Sequence, residues 1–184
     1  MEAIILAGGS SSRMGRDKAL LFDSVQRLQL MLMPLVDRVT VLCGVEERTS
    51  LFKGHVIPDP KPNLGLHQLI EWYRSICEND MMFLPCDAYL LTESGVDLLL
   101  QSREHGGVIW QHNRMQAVFA TIPQRWSAPL NATSLTEYLA SMPRIHVHNH
   151  DSNFFHFNST EEIELHVQKI MLLQEKFHHS QSRR

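Results

Sequence analysis

Near the start of the chain stands the run Leu6-Ala7-Gly8-Gly9-Ser10-Ser11-Ser12-Arg13-Met14-Gly15-Arg16-Asp17-Lys18-Ala19-Leu20-Leu21. These residue types, at this spacing, suit a grip on a nucleoside triphosphate. Gly8, Gly9 and Gly15 remove side chains, so the backbone can come close to phosphate oxygens. Successive N–H groups there can form an anion nest. Arg13 and Lys18 are fixed cations that can neutralise charge developing in a transition state. The run is not a Walker A loop, which ends Gly-Lys-Ser/Thr, because two residues separate Gly15 from Lys18. It is not a dinucleotide fingerprint either, since GxGxxG is absent. The glycines alone would fit an ordinary surface turn. The apolar run before them and the two cations after them favour phosphate.

Two carboxylates stand where chain elements should end. Asp87 follows the apolar run Met81 to Leu84 directly after Pro85-Cys86. There its side chain would lie at a sheet's ligand edge. A hard Mg²⁺ ion takes carboxylate and phosphate oxygens and keeps several waters, so one aspartate can hold it against a triphosphate. The ordinary alternative is a helix cap or turn aspartate. Asp59 sits between Pro58 and Pro60, just past a short β-branched run. No Ser/His/Asp or Cys/His constellation stands out. His146, His148 and His150 alternate, so on a strand they would share one face, where imidazoles can bind Zn²⁺ or Ni²⁺. A solvated strand face is the commoner role of such a row. Cys86 reads as a packing residue.

These residues need elements to position them. Strands are expected at Ala3 to Ala7, Val39 to Cys43, His55 to Ile57, Met81 to Leu84, Val108 to Trp110, Ala117 to Ile122 and Ile145 to His150. Phe154 to Phe157 is a further strand candidate. Helical spacing marks Val25 to Val36, Leu66 to Ile76, Val96 to Leu100 and Leu135 to Met142. A last helix starts at Ser159 or Thr160 with Glu161-Glu162 behind the cap, and turns Ile163, Val167, Ile170 and Phe177 inward. Strands alternating with helices imply an α/β fold with a mainly parallel sheet. In such sheets ligands bind outside the carboxyl ends of the strands. Both the 8–18 loop and the 85–87 segment belong there.

The 184 residues fit one domain, read as 1–177 with a polar tail at 178–184. A net charge of −3 gives no global basic field for nucleic acid or membrane. The three cysteines form no CxxC pair, and their odd number argues against a disulfide framework, which suggests the cytoplasm. The apolar start breaks at Gly8-Gly9, too early for a signal peptide or a membrane span.

The run from Leu6 to Leu21 resembles the signature LAGGxSxRMGxDKxLL of the molybdenum cofactor guanylyltransferase family (MobA-like nucleotidyltransferases), with every fixed position present. The related cytidylyltransferases usually read LAAG, so Gly8-Gly9 leans toward guanine. Phe83-Leu84-Pro85-Cys86-Asp87 is similar to the family's strand that ends in the Mg²⁺-binding aspartate. Phe154 to Ile163 resembles FxNxNTPEEL and keeps Asn158.

The resemblance implies a single-domain, three-layer, Rossmann-like nucleotidyltransferase fold. It implies that GMP passes from GTP to the terminal phosphate of the molybdopterin cofactor, with Mg²⁺ and release of pyrophosphate. It assigns Leu6, Ala7, Gly8, Gly9, Ser10, Gly15, Lys18, Asp59 and Asp87 to the nucleotide, with Arg13, Lys18 and Asp87 catalytic. Asn158 goes to the acceptor, and transient contact with molybdenum cofactor donor or acceptor proteins follows. No protein base is needed, because the acceptor phosphate is already ionised.

Three departures stand beside the match. Leu42 occupies the place of an asparagine that touches the nucleotide. The GPLAG turn reads Leu64-Gly65-Leu66-His67-Gln68. No basic residue between Asn131 and Tyr138 matches those that help hold the pterin phosphate. CTP or a sugar phosphate as substrate, or a diverged protein that binds without turnover, remain the alternatives.

Overall fold

In a computed structural model the described residues are 1–9, 15–61 and 64–181. Ser10 and Arg13, expected in the phosphate grip, lie outside them. The strands are β1 (Glu2–Leu6), β2 (Arg38–Leu42), β3 (His55–Ile57), β4 (Met81–Pro85), β5 (Gly107–Gln111), β6 (Arg114–Ile122) and β7 (Arg144–His146). The α-helices are α1 (Ser24–Leu32), α2 (Leu66–Ile76), α3 (Glu93–Gln101), α4 (Leu135–Tyr138) and α5 (Thr160–Gln181).

One seven-stranded sheet has the order β3-β2-β1-β4-β6-β5-β7. Among the described strands only β6 runs against the others. Residues alternate between the two faces, as the period of an extended chain requires. Ala3 and Ile5 face α1 and α3 through Leu28, Leu32, Val96 and Leu99. Ile4 faces α2 and α4 through Leu69, Ile70, Tyr73 and Tyr138. The result is the expected α/β three-layer arrangement, with a mostly parallel sheet between two helical layers. A smaller third cluster joins α5 to the segment after β4, through Ile163, Ile170, Phe157, Tyr89 and Leu90.

Several boundaries differ from the sequence reading. Helix α1 stops at Leu32, because Pro34 has no N–H to continue the ladder. Helix α4 ends at Tyr138, short of Met142, and turn bonds close the rest of that segment. Strand β7 stops at His146. Its partner β5 ends at Gln111, where the chain reverses through His112 and Asn113, both at positive φ. His148 and His150 are therefore off the strand, and no three-histidine face forms. Among the described residues no group of three or more His, Cys, Asp or Glu side chains could hold a metal.

Phe154 to Phe157 is not a strand. Ser152–Phe154 forms a 3-10 turn capped by Asp151, and Phe154 and Phe157 anchor in different clusters, three residues apart. Helix α5 runs to Gln181, so the stretch read as the start of a polar tail is helical. No helix among the described residues is long and apolar enough to cross a membrane.

Candidate active site

The strand order reverses between β1 and β4, which opens a crevice at the carboxyl edge of the sheet. Register fixes what stands along it. Leu6 pairs with Leu42, Leu42 with Ile57, and Leu6 with Pro85. Two residues past each of these ends come Gly8, Gly44, Asp59 and Asp87. They form one row across the edge, in the order Asp59, Gly44, Gly8, Asp87.

The row is tightly built. A side-chain carbon added to Gly8 would lie 2.8 Å from the Gly44 Cα and N. One added to Gly44 would meet Gly8 at the same distance, and Gly44 has φ +88°. The two loops touch backbone to backbone, which only glycine permits. The Asp59 N–H donates to Gly44 O at 2.6 Å. Asp59 is half-buried, and its Oδ1 has no hydrogen-bond partner among the described residues. Burial raises its carboxyl above the usual range, and a backbone hydrogen bond from Gly44 partly offsets this.

At the other end of the row the Lys18 Nζ donates to Asp87 Oδ2 at 2.9 Å and to Phe157 O. The Asp87 side chain is 7% exposed and that of Lys18 18%, so this pair sits in a poorly hydrated place. Lys18 opens a 3-10 turn whose cap, Asp17, accepts from Ala19 N at 3.0 Å. The Tyr89 hydroxyl donates to Lys18 O at 2.9 Å, and its ring stacks on Phe157 with centroids 5.3 Å apart. The backbone that follows Asp87 is held in turn by Arg27, which is 6% exposed. That guanidinium donates to the carbonyls of Leu91 (2.7 Å), Ala88 (2.8 Å) and Tyr89 (3.1 Å). Burial pushes Arg27 down to about 10, still cationic at neutral pH. Ser24 adds a bond to Cys86 O at 2.5 Å.

A cleft of about 390 Å³ joins the two ends. Leu6, Gly8, Gly9, Lys18, Asp59 and Asp87 line it, together with Leu42, Leu66 and Leu69. Of the residues expected at the nucleotide, Ala7 is buried behind this wall, and Gly15 is exposed at φ +61° and does not line the cleft. Asn158 is exposed and does not line the cleft, and its N–H donates to Glu162 at 2.6 Å. Cys86 lines the cleft, but burial, followed by the Asp87 charge, pushes its thiol up to about 12. It is a neutral wall residue at neutral pH and not a nucleophile.

Sequence reasoning missed Arg48. Its Nε donates to Cys43 O at 2.7 Å, and its terminal nitrogens donate to Ala7 O at 2.8 Å and to both Asp17 carboxylate oxygens. One guanidinium thus ties the ends of β1 and β2 to the residue beside Lys18. Only a planar fork with several donors can do this. Nothing in the sequence pairs position 48 with position 17. The hint was an arginine shortly after a strand end, and that is a common occurrence. Arg48→Lys is expected to lower kcat/KM about tenfold and the melting temperature by about 3–6 °C, since one ammonium cannot serve all three partners. Steady-state kinetics and calorimetry check this.

The MobA-like NTP transferase domain is matched over residues 3–149, most of the chain. The protein belongs to that family. A search of curated proteins finds no match. Among solved structures, the chain is similar to molybdopterin-guanine dinucleotide biosynthesis protein A from Archaeoglobus fulgidus, with a TM-score of 0.69 at 13% identity. That alignment covers 89% of this chain and 95% of the other. A Methanothermobacter nucleotidyl transferase aligns with a TM-score of 0.66 at 13% identity, covering 97% and 98%. The 4-diphosphocytidyl-2C-methyl-D-erythritol synthase of Anaerococcus prevotii aligns with a TM-score of 0.60 at 9% identity, covering 89% and 94%. At such identities the likeness is one of fold. Family membership makes the MobA-like chain a nucleotidyltransferase, and Asp59, Gly8 and Asp87 of the row line the cleft.

Proposed function

We propose that the protein transfers GMP from GTP to the terminal phosphate of the molybdopterin cofactor and releases pyrophosphate. The observation that carries this reading is the polarity of the cleft: a cation and a buried carboxylate at one end, and at the other a carboxylate with an oxygen that has no partner among the described residues. At the first end an acceptor phosphate oxygen bonds to the α-phosphorus while the bond to the bridging oxygen of pyrophosphate breaks. The acceptor is already ionised, so no protein base takes a proton. Lys18 holds charge fixed where the phosphates gather, and alignment supplies most of the rest.

Asp87 suits Mg²⁺, which needs one or two carboxylates plus phosphate oxygens. Lys18 engages its Oδ2, and Asp87 lines the cleft. Bound there, the ion would supply neutralisation of the triphosphate.

Asp59 supports guanine. An ionised carboxylate accepts from the ring N–H and the 2-amino group of guanine side by side, whereas cytosine offers only its single amino group. Asp59→Asn replaces one acceptor with a donor. It is expected to weaken GTP binding by about 10- to 100-fold while leaving CTP binding near its starting value. Equal losses for both nucleotides would remove the guanine assignment. The activity itself is tested by incubating the protein with Mg²⁺, molybdopterin cofactor and each nucleoside triphosphate in turn, then measuring pyrophosphate and dinucleotide. No product with any nucleotide overturns the transferase reading, and product with CTP alone overturns the choice of GTP. Transient docking to proteins that deliver or receive the cofactor belongs to the same proposal.

A further inference from the structure

A second cavity, of about 290 Å³, lies beside the nucleotide cleft, and His156 lines both. Its walls come from the end of β5 and the hairpin turn (Gln111, His112), the segment before α5 (Phe155, Phe157) and α5 itself (His166). Four of these are rings that meet one another. Phe155 lies 6.4 Å from His112 and 5.6 Å from His166, and Phe157 lies 5.8 Å from His166, centroid to centroid.

Gln111 is the unusual member. It is 1% exposed, and its Nε2 donates to His148 O at 2.9 Å and Asp151 O at 2.5 Å. Both amide protons are used, so turning the amide over would set an oxygen against two carbonyls. The side-chain orientation is therefore fixed. Its Oε1 is buried and, among the described residues, meets no donor. Folded interiors rarely leave such an oxygen unpaired. Here the unpaired oxygen belongs to a residue in the wall of a cavity.

We infer that this cavity holds the body of the acceptor, and that Gln111 selects the acceptor by receiving an N–H or O–H from it. The inference rests on the nucleotidyl-transfer reading. Transfer requires the acceptor phosphate to reach the α-phosphate from outside the nucleotide. The shared wall at His156 gives that route. His156 adjoins Phe157, whose carbonyl holds Lys18, so the passage opens at the Lys18–Asp87 end of the cleft. An imidazole N–H there can donate to the acceptor phosphate as it crosses. The ring-lined wall suits a phosphomonoester whose body is a flat ring bearing a hydrogen-bond donor. A polyol phosphate would leave those ring faces without a partner.

The test uses binding, not turnover. Molybdopterin cofactor is titrated into the full-length protein while tryptophan fluorescence is followed, since Trp110 neighbours Gln111. GTP is titrated separately. Gln111→Leu is expected to weaken cofactor binding at least tenfold and to leave GTP affinity within twofold. Because Gln111 is buried, His156→Ala, at the half-buried junction, is the second variant. It too is expected to lose cofactor affinity, by several-fold. Unchanged cofactor affinity in both variants overturns the inference, as does a wild-type protein that binds GTP but not the cofactor. A protein that binds the cofactor but no nucleotide overturns instead the reading on which the inference rests.

Discussion

Lys18→Ala and Asp87→Asn are each expected to lower kcat/KM by about 10²- to 10³-fold, the usual scale for one preorganised charge in a phosphate-handling site. The geometry sets the size of the effect. Lys18 is held by the Asp87 carboxylate and the Phe157 carbonyl, and its own carbonyl is held by Tyr89. Its ammonium is thus fixed before substrate arrives and needs no reorganisation during reaction. Asp87→Asn keeps the shape of the side chain and removes its charge. The fold should survive both changes, because Arg27 and Ser24 bind backbone carbonyls around Asp87 and not its carboxylate. Steady-state kinetics beside circular dichroism separates the two outcomes. Activity within threefold of wild type in either variant would remove that residue from the catalytic set.

Gly44→Ala carries the second large effect, on stability and binding together. The methyl group would sit 2.8 Å from Gly8 Cα and O, both backbone atoms with no freedom to turn away. A φ of +88° adds strain of about 1–2 kcal/mol for any other residue. Together a loss of about 3 kcal/mol is expected, a fall of about 6–12 °C in melting temperature for a chain of this size. Nucleotide affinity should fall by more than tenfold, because Gly8 moves with Gly44. Gly9→Ala is the comparison. Among the described residues a Cβ there meets nothing within 4 Å, so the melting temperature should hold within about 1 °C. Equal melting temperatures for the two variants would show that the backbone contact is not needed.

Most of the strands and the helix α2 were legible in the sequence because apolar periodicity and the Gly and Pro stops agree with one another. The α/β fold with a mainly parallel sheet followed from their alternation, and its three layers from the family resemblance. The residues at the two ends of the row across the sheet edge stood out too. Lys18 and Asp87 are conspicuous by type and position, and Asp59 is flanked by prolines after a strand. Arg48, Gly44 and Gln111 were not legible, since each matters through partners far along the chain: Asp17, Gly8, and the loop at 148–151. Local pattern carries no record of such pairings. The reading of Ile145 to His150 as one strand failed for a related reason. Alternation describes a segment's own preference, but a strand ends where its neighbour ends, and β5 turns away at Gln111.

The Lys18–Phe157 contact also bears on how the protein is made. A ribosome releases residue 18 long before residue 157, and β1, β2 and β4 can pair in the meantime. The glycine row could then assemble early, while Lys18 still lacks both the Phe157 carbonyl and the Tyr89–Phe157 stack that steadies it. The growing chain can therefore hold paired strands before the contacts of Lys18 are complete. The contact that completes the Lys18 setting is thus supplied by the segment between β7 and α5, close to the end of the chain to be synthesised.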